Sequence, residues 1–100
     1  MIRKEVELSI IQLKGYILVP ESDLEAVKAE LPNHIILTRE EEGCLLFEVS
    51  QDTRNSNRFS VFEKFTNKKT FELHQLRVKN SIWGSLSKNV ERHYEITTIE

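Results

Sequence analysis

The chain has 100 residues, of which 39% are hydrophobic and 30% are charged, and its net charge is −2. This length predicts a single domain over residues 1–100, and the composition excludes disordered, low-complexity and collagen-like chains. Because the charge is slightly negative, nothing in it favours binding to nucleic acid or to an anionic membrane.

The chain shows no sequence pattern of a membrane span or of a disulfide. Its apolar runs are far shorter than the about 18 residues that cross a bilayer. The charged start Met1–Glu5 lacks the apolar core of a secretory signal. The single cysteine, Cys44, cannot form an intramolecular disulfide. We therefore expect a cytoplasmic protein with no membrane partner.

Alternating residues predict a first strand from Glu5 to Val19. Its more apolar face carries Ile11, Leu13, Ile17 and Val19. Gly15 interrupts this face, and a glycine inside a strand indicates a bulge or a close approach of other atoms to the backbone.

A helix is predicted after this strand, with Ser22 or Asp23 as its N-cap. Its apolar stripe has helical spacing and consists of Leu24, Val27, Leu31, Ile35 and Thr38. Pro32 lies inside the stripe and has no N–H to donate. We therefore expect a kink or a break there, with a second helical piece from Pro32 to about Glu40.

The second half of the chain predicts two strands, a helix and a final strand. Alternation predicts strands at Cys44–Ser50 and Arg58–Phe65. Asn67 is the expected N-cap of the second helix. The apolar stripe of that helix consists of Phe71, His74, Val78 and Ile82. A break is expected near Lys79–Ser81, and His93–Ile99 is the last predicted strand.

The order βαββαβ favours an α+β fold of the ferredoxin-like type, with a four-stranded antiparallel sheet and two helices on one face. The opposite face would then expose several apolar side chains, namely Ile10, Leu18, Leu46 and Phe62. A second copy of the same sheet is the simplest cover for such a face. We therefore predict a homodimer with sheets packed face to face.

Three polar residues are predicted to point into the interior. Glu63 lies on the apolar face of the third strand, where an unpaired carboxylate is costly, so it should be paired, protonated or lining a wet cavity. His74 lies on the apolar stripe of the second helix, and His34 lies beside that of the first. This pattern predicts a small pocket between sheet and helices, with Gly15 making room.

The polar residues, Trp83 and the charged segment Arg39–Glu42 also have interpretations that involve no catalysis. Glu63 and His74 could hydrogen-bond to each other and join helix to sheet. Metal binding by His34, Glu63 and His74 fits the ligand types but not any known spacing, so no metal is predicted. Trp83 is usually a core residue, although it could stack on an aromatic ligand. The charge cluster Arg39–Glu42 is interpreted as a solvated helix end.

Several segments together resemble antibiotic biosynthesis monooxygenase domains. They are Leu31–His34, Leu37–Val49, Arg58–Phe65, Phe71–His74, Asn80–Gly84 and Tyr94–Ile96. The last two are similar to the subgroup named for quinol monooxygenases, and the resemblance spans about residues 6 to 97. The chain departs from the family at Phe65, where tryptophan is common, and at Glu42, where proline is usual.

The resemblance implies a dimeric α+β barrel and, as in some members, oxygenation without a cofactor. A small electron-rich aromatic compound, a phenol or quinol, would be deprotonated in the pocket and would react with dioxygen itself. His34 or His74 would be the base, with Glu63 orienting or tuning the histidine. Three aromatic residues would form the apolar wall: Phe47, Phe59 and Trp83.

Other functions stay open. Members of this family also include isomerases, haem-degrading proteins and proteins with no known activity, so a non-oxygenase or ligand-binding dimer is the main alternative. An RNA-binding domain shares the βαββαβ order, and Arg58–Phe62 loosely resembles its aromatic strand. However, the glycines of that motif are absent, Glu63 interrupts it and the charge is negative, so no nucleic-acid partner is predicted.

Overall fold

The structure, a computed structural model, describes residues 9–99. Its four strands are β1 (Ile10–Leu18), β2 (Cys44–Gln51), β3 (Arg58–Phe65) and β4 (Glu91–Ile99). Its helices are α1 (Leu24–Arg39), which follows a 3₁₀ turn at Glu21–Asp23, α2 (Lys68–Lys79) and α3 (Ile82–Leu86). The strands form one antiparallel sheet in the order β2-β3-β1-β4. The predicted ferredoxin-like βαββαβ fold is therefore confirmed.

The hydrophobic core lies between one face of the sheet and the helices. Period-two alternation turns every second residue of β1 and β3 toward the helices, and all of these residues except the half-buried Gly15 are buried. The most deeply buried apolar side chains are Leu13, Val27, Phe59 and Phe65. Glu63 has the same parity as Phe59 and Phe65, so the strand carries its carboxylate into the apolar layer.

Helix α1 corrects two predictions. It runs without a break through Pro32, so the predicted second helical piece is wrong. Pro32 lies on the exposed side, and the carbonyl of Lys28 that loses its partner there is on the same exposed side, where water can solvate it. Asp23 is the N-cap residue, but its side chain makes no capping hydrogen bond, because a 3₁₀ turn leads into the helix instead.

The other boundaries agree closely with the sequence. Asn67 caps α2: its side chain accepts from the Thr70 N–H at 2.9 Å, and Thr70 Oγ1 in turn accepts from the Asn67 N–H at 3.4 Å. The predicted break after Lys79 is confirmed by the new helix that starts at Ile82. Of the predicted first strand, Glu5–Leu8 lies outside the described residues, and Ser9 precedes the observed strand.

Strand β4 forms an edge that the helices leave uncovered. It begins at Glu91, two residues before the predicted start, and all nine of its residues are exposed. Tyr94 pairs with Gly15 in the adjacent strand and therefore lies on the helix side of the sheet. A Cβ atom at Gly15 would collide with the backbone carbonyl of His93, so the expected close approach to this glycine is confirmed.

Within residues 9–99, none of the helices has the length and the hydropathy needed to cross a bilayer.

Candidate functional site

The fold brings both predicted histidines and the glutamate to one place between sheet and helices. His34 of α1 stacks on Trp83 of α3, with ring centroids 4.5 Å apart and planes within 2° of parallel. The rings of His34 and His74 lie 6.4 Å apart, and Phe47 of β2 meets the edge of both. His34, Glu63 and His74 are each less than 7% exposed.

A small cavity lies beside this cluster and opens toward β4. Its lining includes Glu63, His34, Phe47 and Trp83, together with Val49, Val61, Ile17, Ser87, Val90, Arg92 and Tyr94. Arg92 and Tyr94 are the exposed members of this set, which places the mouth at the uncovered edge of the sheet. The cavity volume is about 30 Å³, which is room for one or two water molecules.

Two residues that line the cavity each have a buried polar atom without a hydrogen-bond partner among residues 9–99. These atoms are Oε1 of Glu63 and Nδ1 of His34. Burial, followed by the negative charge of Glu41, raises the pKa of Glu63 to about 7. Burial, followed by the nearby His74 and Arg77, lowers the pKa of His34 to about 3. Near neutral pH the cavity therefore presents a carboxyl group poised between its two forms and an uncharged imidazole.

His74 lies behind Glu63 and does not line the cavity. Its Nε2 is 3.8 Å from Glu63 Oε1, which is longer than a hydrogen bond, so the direct hydrogen bond that the sequence left open is not formed. Its other nitrogen, Nδ1, is 2.7 Å from Oε1 of Glu41. Burial lowers the pKa of His74, whereas the carboxylate and the hydrogen bond of Glu41 act in the opposite direction.

Glu41 corrects the interpretation of Arg39–Glu42 as a solvated helix end. Its side chain is only 17% exposed and is held from two sides, by His74 and by Nε of Arg77. Nη2 of Arg77 also donates to Oγ1 of the buried Thr38 at 3.0 Å. The turn after α1 thus places a carboxylate against α2, where it contacts the predicted site.

The remaining predicted residues divide between this cavity and other places. Phe47 and Trp83 line the cavity, whereas Phe59 and Gly15 do not. Phe59 is 1% exposed in the core and contacts a separate groove beside α1, so its predicted place in the wall is corrected. The close approach of β4 fills the space next to Gly15, so this glycine does not make room for the cavity.

Three other residues border the cavity, and the sequence interpretation gave no role to two of them, Ser87 and Arg92. Arg92 and Tyr94 lie on the helix side of β4, as their parity with Ile96 would have indicated once the strand register was known. Ser87 accepts from Nη2 of Arg92 at its carbonyl and donates from its hydroxyl to the Trp83 carbonyl at 2.6 Å. These bonds tie α3 to β4 at the mouth of the cavity.

Neither a metal nor a reactive thiol is indicated at this site. Among residues 9–99, no group of three or more His, Cys, Asp or Glu side chains has a metal-binding arrangement. Burial, followed by the charges of Glu41 and Glu63, raises the pKa of Cys44, so its sulfur is held in the unreactive thiol form.

Comparison with known proteins shows the family to which the chain belongs. The sequence model of the antibiotic biosynthesis monooxygenase family matches residues 11–77, which include His34, Glu63 and His74. The chain belongs to this family. In this monooxygenase-family chain, Trp83, Arg92 and Tyr94 lie beyond the matched segment. A search of curated proteins finds no match.

Solved structures support the same fold. A protein of unknown function from Bacteroides thetaiotaomicron, named a possible oxidoreductase, has a TM-score of 0.72 at 18% identity, covering 92% of this chain and 99% of its own. A candidate antibiotic biosynthesis monooxygenase from Deinococcus radiodurans has a TM-score of 0.68 at 26% identity, covering 91% of this chain and 90% of its own. A conserved protein from Methanosarcina mazei has a TM-score of 0.68 at 19% identity, covering 97% of both chains.

Proposed function

We propose that this chain is a monooxygenase that acts, without a bound cofactor, on a small electron-rich aromatic compound of the quinol type. The observation that carries the proposal is that Glu63 and His34 line one cavity and that each has a buried polar atom, Oε1 and Nδ1 respectively, without a hydrogen-bond partner among residues 9–99. Buried polar groups normally find partners, so a site that leaves two of them free is suited to a polar ligand. Family membership and the Deinococcus neighbour support oxygenase chemistry.

The chemistry begins with removal of a hydroxyl proton from the quinol. The Glu63 carboxylate accepts that proton, since its pKa of about 7 leaves a large share of it ionised at neutral pH. The uncharged His34 hydrogen-bonds to a substrate oxygen through Nδ1. The resulting anion supplies all four electrons to dioxygen, so one oxygen atom enters the ring, which becomes a hydroxyquinone, and the other leaves as water.

A substrate ring needs more space than the cavity has. At about 30 Å³ the cavity holds water but no six-membered ring. The Trp83 indole now stacks on His34 in the way that an aromatic ligand would. We expect the substrate to enter beside β4 and to take the place of this indole on His34.

Oxygen uptake with a panel of hydroquinones tests the proposal directly. The purified protein, with a chelator and no flavin, should consume oxygen faster than the quinols autoxidise. Glu63→Gln should lower kcat by about 10²–10⁴-fold, because the base is lost while the fold is retained. Glu25→Gln, an exposed carboxylate in the first turn of α1 that lies away from the cavity, is the matched control and should keep full activity. Uptake at the autoxidation rate across the panel would refute oxygenase function.

A ligand-binding protein or isomerase of the same scaffold is the second candidate. It is favoured by the acid–imidazole pair of Glu63 and His34, because one group can remove a proton from a small carbonyl compound while the other stabilises the oxygen. Such a protein would bind a small carbonyl or aromatic compound saturably under argon. Binding or isomerisation without oxygen uptake would favour this candidate over the first.

We also propose that the chain forms a homodimer through the sheet face opposite the helices. Leu46 and Phe62 lie on that face and are partly buried by their own neighbours. Strand β4 adds an edge of nine exposed residues. One chain has a mass of 11.7 kDa, and sedimentation equilibrium should give twice that mass. A single-chain mass at micromolar concentration would contradict the dimer.

A further inference from the structure

The polar groups behind Glu63 form a connected chain that reaches the surface. Glu63 Oε1 lies 3.8 Å from His74 Nε2, and His74 Nδ1 lies 2.7 Å from Glu41 Oε1. Arg77 Nε holds the other oxygen of Glu41. Along this path the side-chain exposure rises from 3% at His74 to 17% at Glu41 and 30% at Arg77. This row of polar side chains therefore connects the wall of the cavity to the outside of the protein.

We propose that Glu41 is a positioning residue that makes His74 the acceptor of the proton that Glu63 removes from the substrate. Glu41 would do this by holding the His74 ring with Nδ1 protonated and with a bare Nε2 directed at Glu63. The inference rests on the proposed function of Glu63 as the base. It gives a role to Glu41 and Arg77, which are too far back to face the cavity.

The tautomer follows from the hydrogen-bonding capacity of each group. An ionised carboxylate only accepts hydrogen bonds, so the short contact to Glu41 requires the proton on Nδ1 of His74. A neutral imidazole carries one proton, and Nε2 is then left with a lone pair. That lone pair faces the carboxyl group of Glu63. The arrangement places a carboxylate behind an imidazole, as in the triads in which a buried Asp fixes the His tautomer.

Titratable groups from several elements face His74. Glu41 follows α1, Glu63 lies on β3, Arg77 is on the same helix and His34 faces it from α1. Burial and Arg77 disfavour the imidazolium form, whereas Glu41 favours it. Without Glu41, the pKa of His74 would fall, because both the charge and the hydrogen bond of Glu41 raise it. The pKa of Glu63 would fall less, because burial is the larger cause of its upward shift and Glu41 acts on it through charge alone. Proton transfer from Glu63 to His74 would then become less favourable.

The proposed transfer is balanced in protons and charge. The Glu63 carboxylate forms an O–H bond as the substrate O–H bond breaks. That O–H bond then breaks as His74 Nε2 forms an N–H bond, which leaves an imidazolium between two carboxylates. A closure of about 1 Å would bring the 3.8 Å separation to hydrogen-bond distance, and such contacts often tighten only when substrate is bound.

Nitrogen-15 NMR of the histidine rings tests the positioning without any turnover. In the unmodified protein, His74 should show a protonated Nδ1 and an unprotonated Nε2. In Glu41→Gln, the amide can both accept and donate, so the tautomer should become mixed and the pKa of His74 should fall. Glu40→Gln is the matched control, because Glu40 has the same charge on the same turn, is exposed, and should leave His74 unchanged. A proton on Nε2 in the unmodified protein, or equal titration of His74 in both variants, would overturn the proposal.

Kinetics separate this inference from the proposed function. With a quinol that is turned over, Glu41→Gln should lower kcat at least tenfold and shift the pH profile, while KM changes less than twofold, since Glu41 does not touch the substrate. An unchanged kcat in Glu41→Gln alongside a large loss in Glu63→Gln would overturn the positioning role and leave the base intact. If Glu63→Gln itself keeps full activity, Glu63 is not the base, and the ring NMR still decides the tautomer claim. If the unmodified protein consumes oxygen only at the autoxidation rate, the proposed oxygenase function fails instead.

Discussion

The two ends of the buried polar chain differ in how well their atoms are paired. At the cavity end, Glu63 Oε1 and His34 Nδ1 have no hydrogen-bond partner among residues 9–99. At the outer end, Glu41 is held by both His74 and Arg77, and Arg77 also reaches Thr38. The paired end is the more exposed one, although exposed groups could use water as a partner.

This difference separates stability from function. A buried polar group without a partner costs about 1–3 kcal/mol, so the cavity end weakens the fold. The outer end restores part of the stability and fixes the geometry of His74, through hydrogen bonds to charged groups. Substitutions at the two ends should therefore act differently, and the following predictions are arranged by the size of the expected change in the free energy of unfolding.

The largest change is expected at the stacked Trp83 of the cavity end. Trp83→Ala removes a ring that is 7% exposed and parallel to His34, and should lower the free energy of unfolding by about 3–5 kcal/mol. It should also enlarge the cavity enough to admit a small aromatic compound. Denaturant unfolding with and without phenol measures both effects.

The control for Trp83→Ala is its neighbour in α3. Ile82 is 63% exposed, so Ile82→Ala should change the free energy of unfolding by less than about 0.5 kcal/mol. Phenol should stabilise Trp83→Ala and not Ile82→Ala, because a ligand stabilises only the folded form that binds it. If phenol stabilises neither variant, the indole does not occupy the ligand position.

The second largest change in the free energy of unfolding is expected from His34 when the pH is lowered. Its pKa is about 3 in the folded protein against 6.5 in the unfolded chain, so below about 6.5 the unfolded chain binds more protons. Stability from this group is therefore complete above pH 6.5 and is lost as the pH falls toward 3. From about pH 7 to about pH 4 the loss should be roughly 3 kcal/mol.

His34→Phe isolates this contribution, because phenylalanine keeps an aromatic ring against Trp83 and does not titrate. The free energies of unfolding of the two proteins should be measured across the same pH range. Their difference should move in favour of His34→Phe as the pH falls, even though Glu63, with its raised pKa, gains relative stability in acid in both proteins. Parallel pH curves would show that His34 is not the buried neutral group described above.

The sequence predicts the cavity end of the polar row better than its outer end. Strand parity places Glu63 in the apolar layer, and helical spacing does the same for His74, so both follow from periodicity alone. Glu41 lies beyond the end of α1, where no periodic pattern applies and the direction of the side chain depends on the turn at Gly43, which has a φ of +92°. The outer partner of the site was therefore interpreted as a solvated charge.

The location of the cavity along the sheet was also beyond the sequence. Phe47 and Phe59 have the same predicted role, and strand parity places both on the helix side. Only the packing of α1 and α3 decides that Phe47 borders the cavity and Phe59 does not. The contribution of Tyr94 depends on the pairing of β4 with β1, which is a long-range contact.

The smallest change is expected at Thr38, at the outer end. Thr38→Val keeps the side-chain shape and removes the hydroxyl that accepts from Arg77 at 3.0 Å. Arg77 is 30% exposed, so water can replace the lost partner, and the free energy of unfolding should fall by only about 0.5–1.5 kcal/mol. Denaturant unfolding measures this loss, and ring NMR should show that His74 keeps its tautomer because Glu41 still binds it. If Thr38→Val instead stabilises the protein, the hydrogen bond at the outer end contributes no stability. The two ends would then differ only in the function of the cavity, and not in their contribution to the free energy of unfolding.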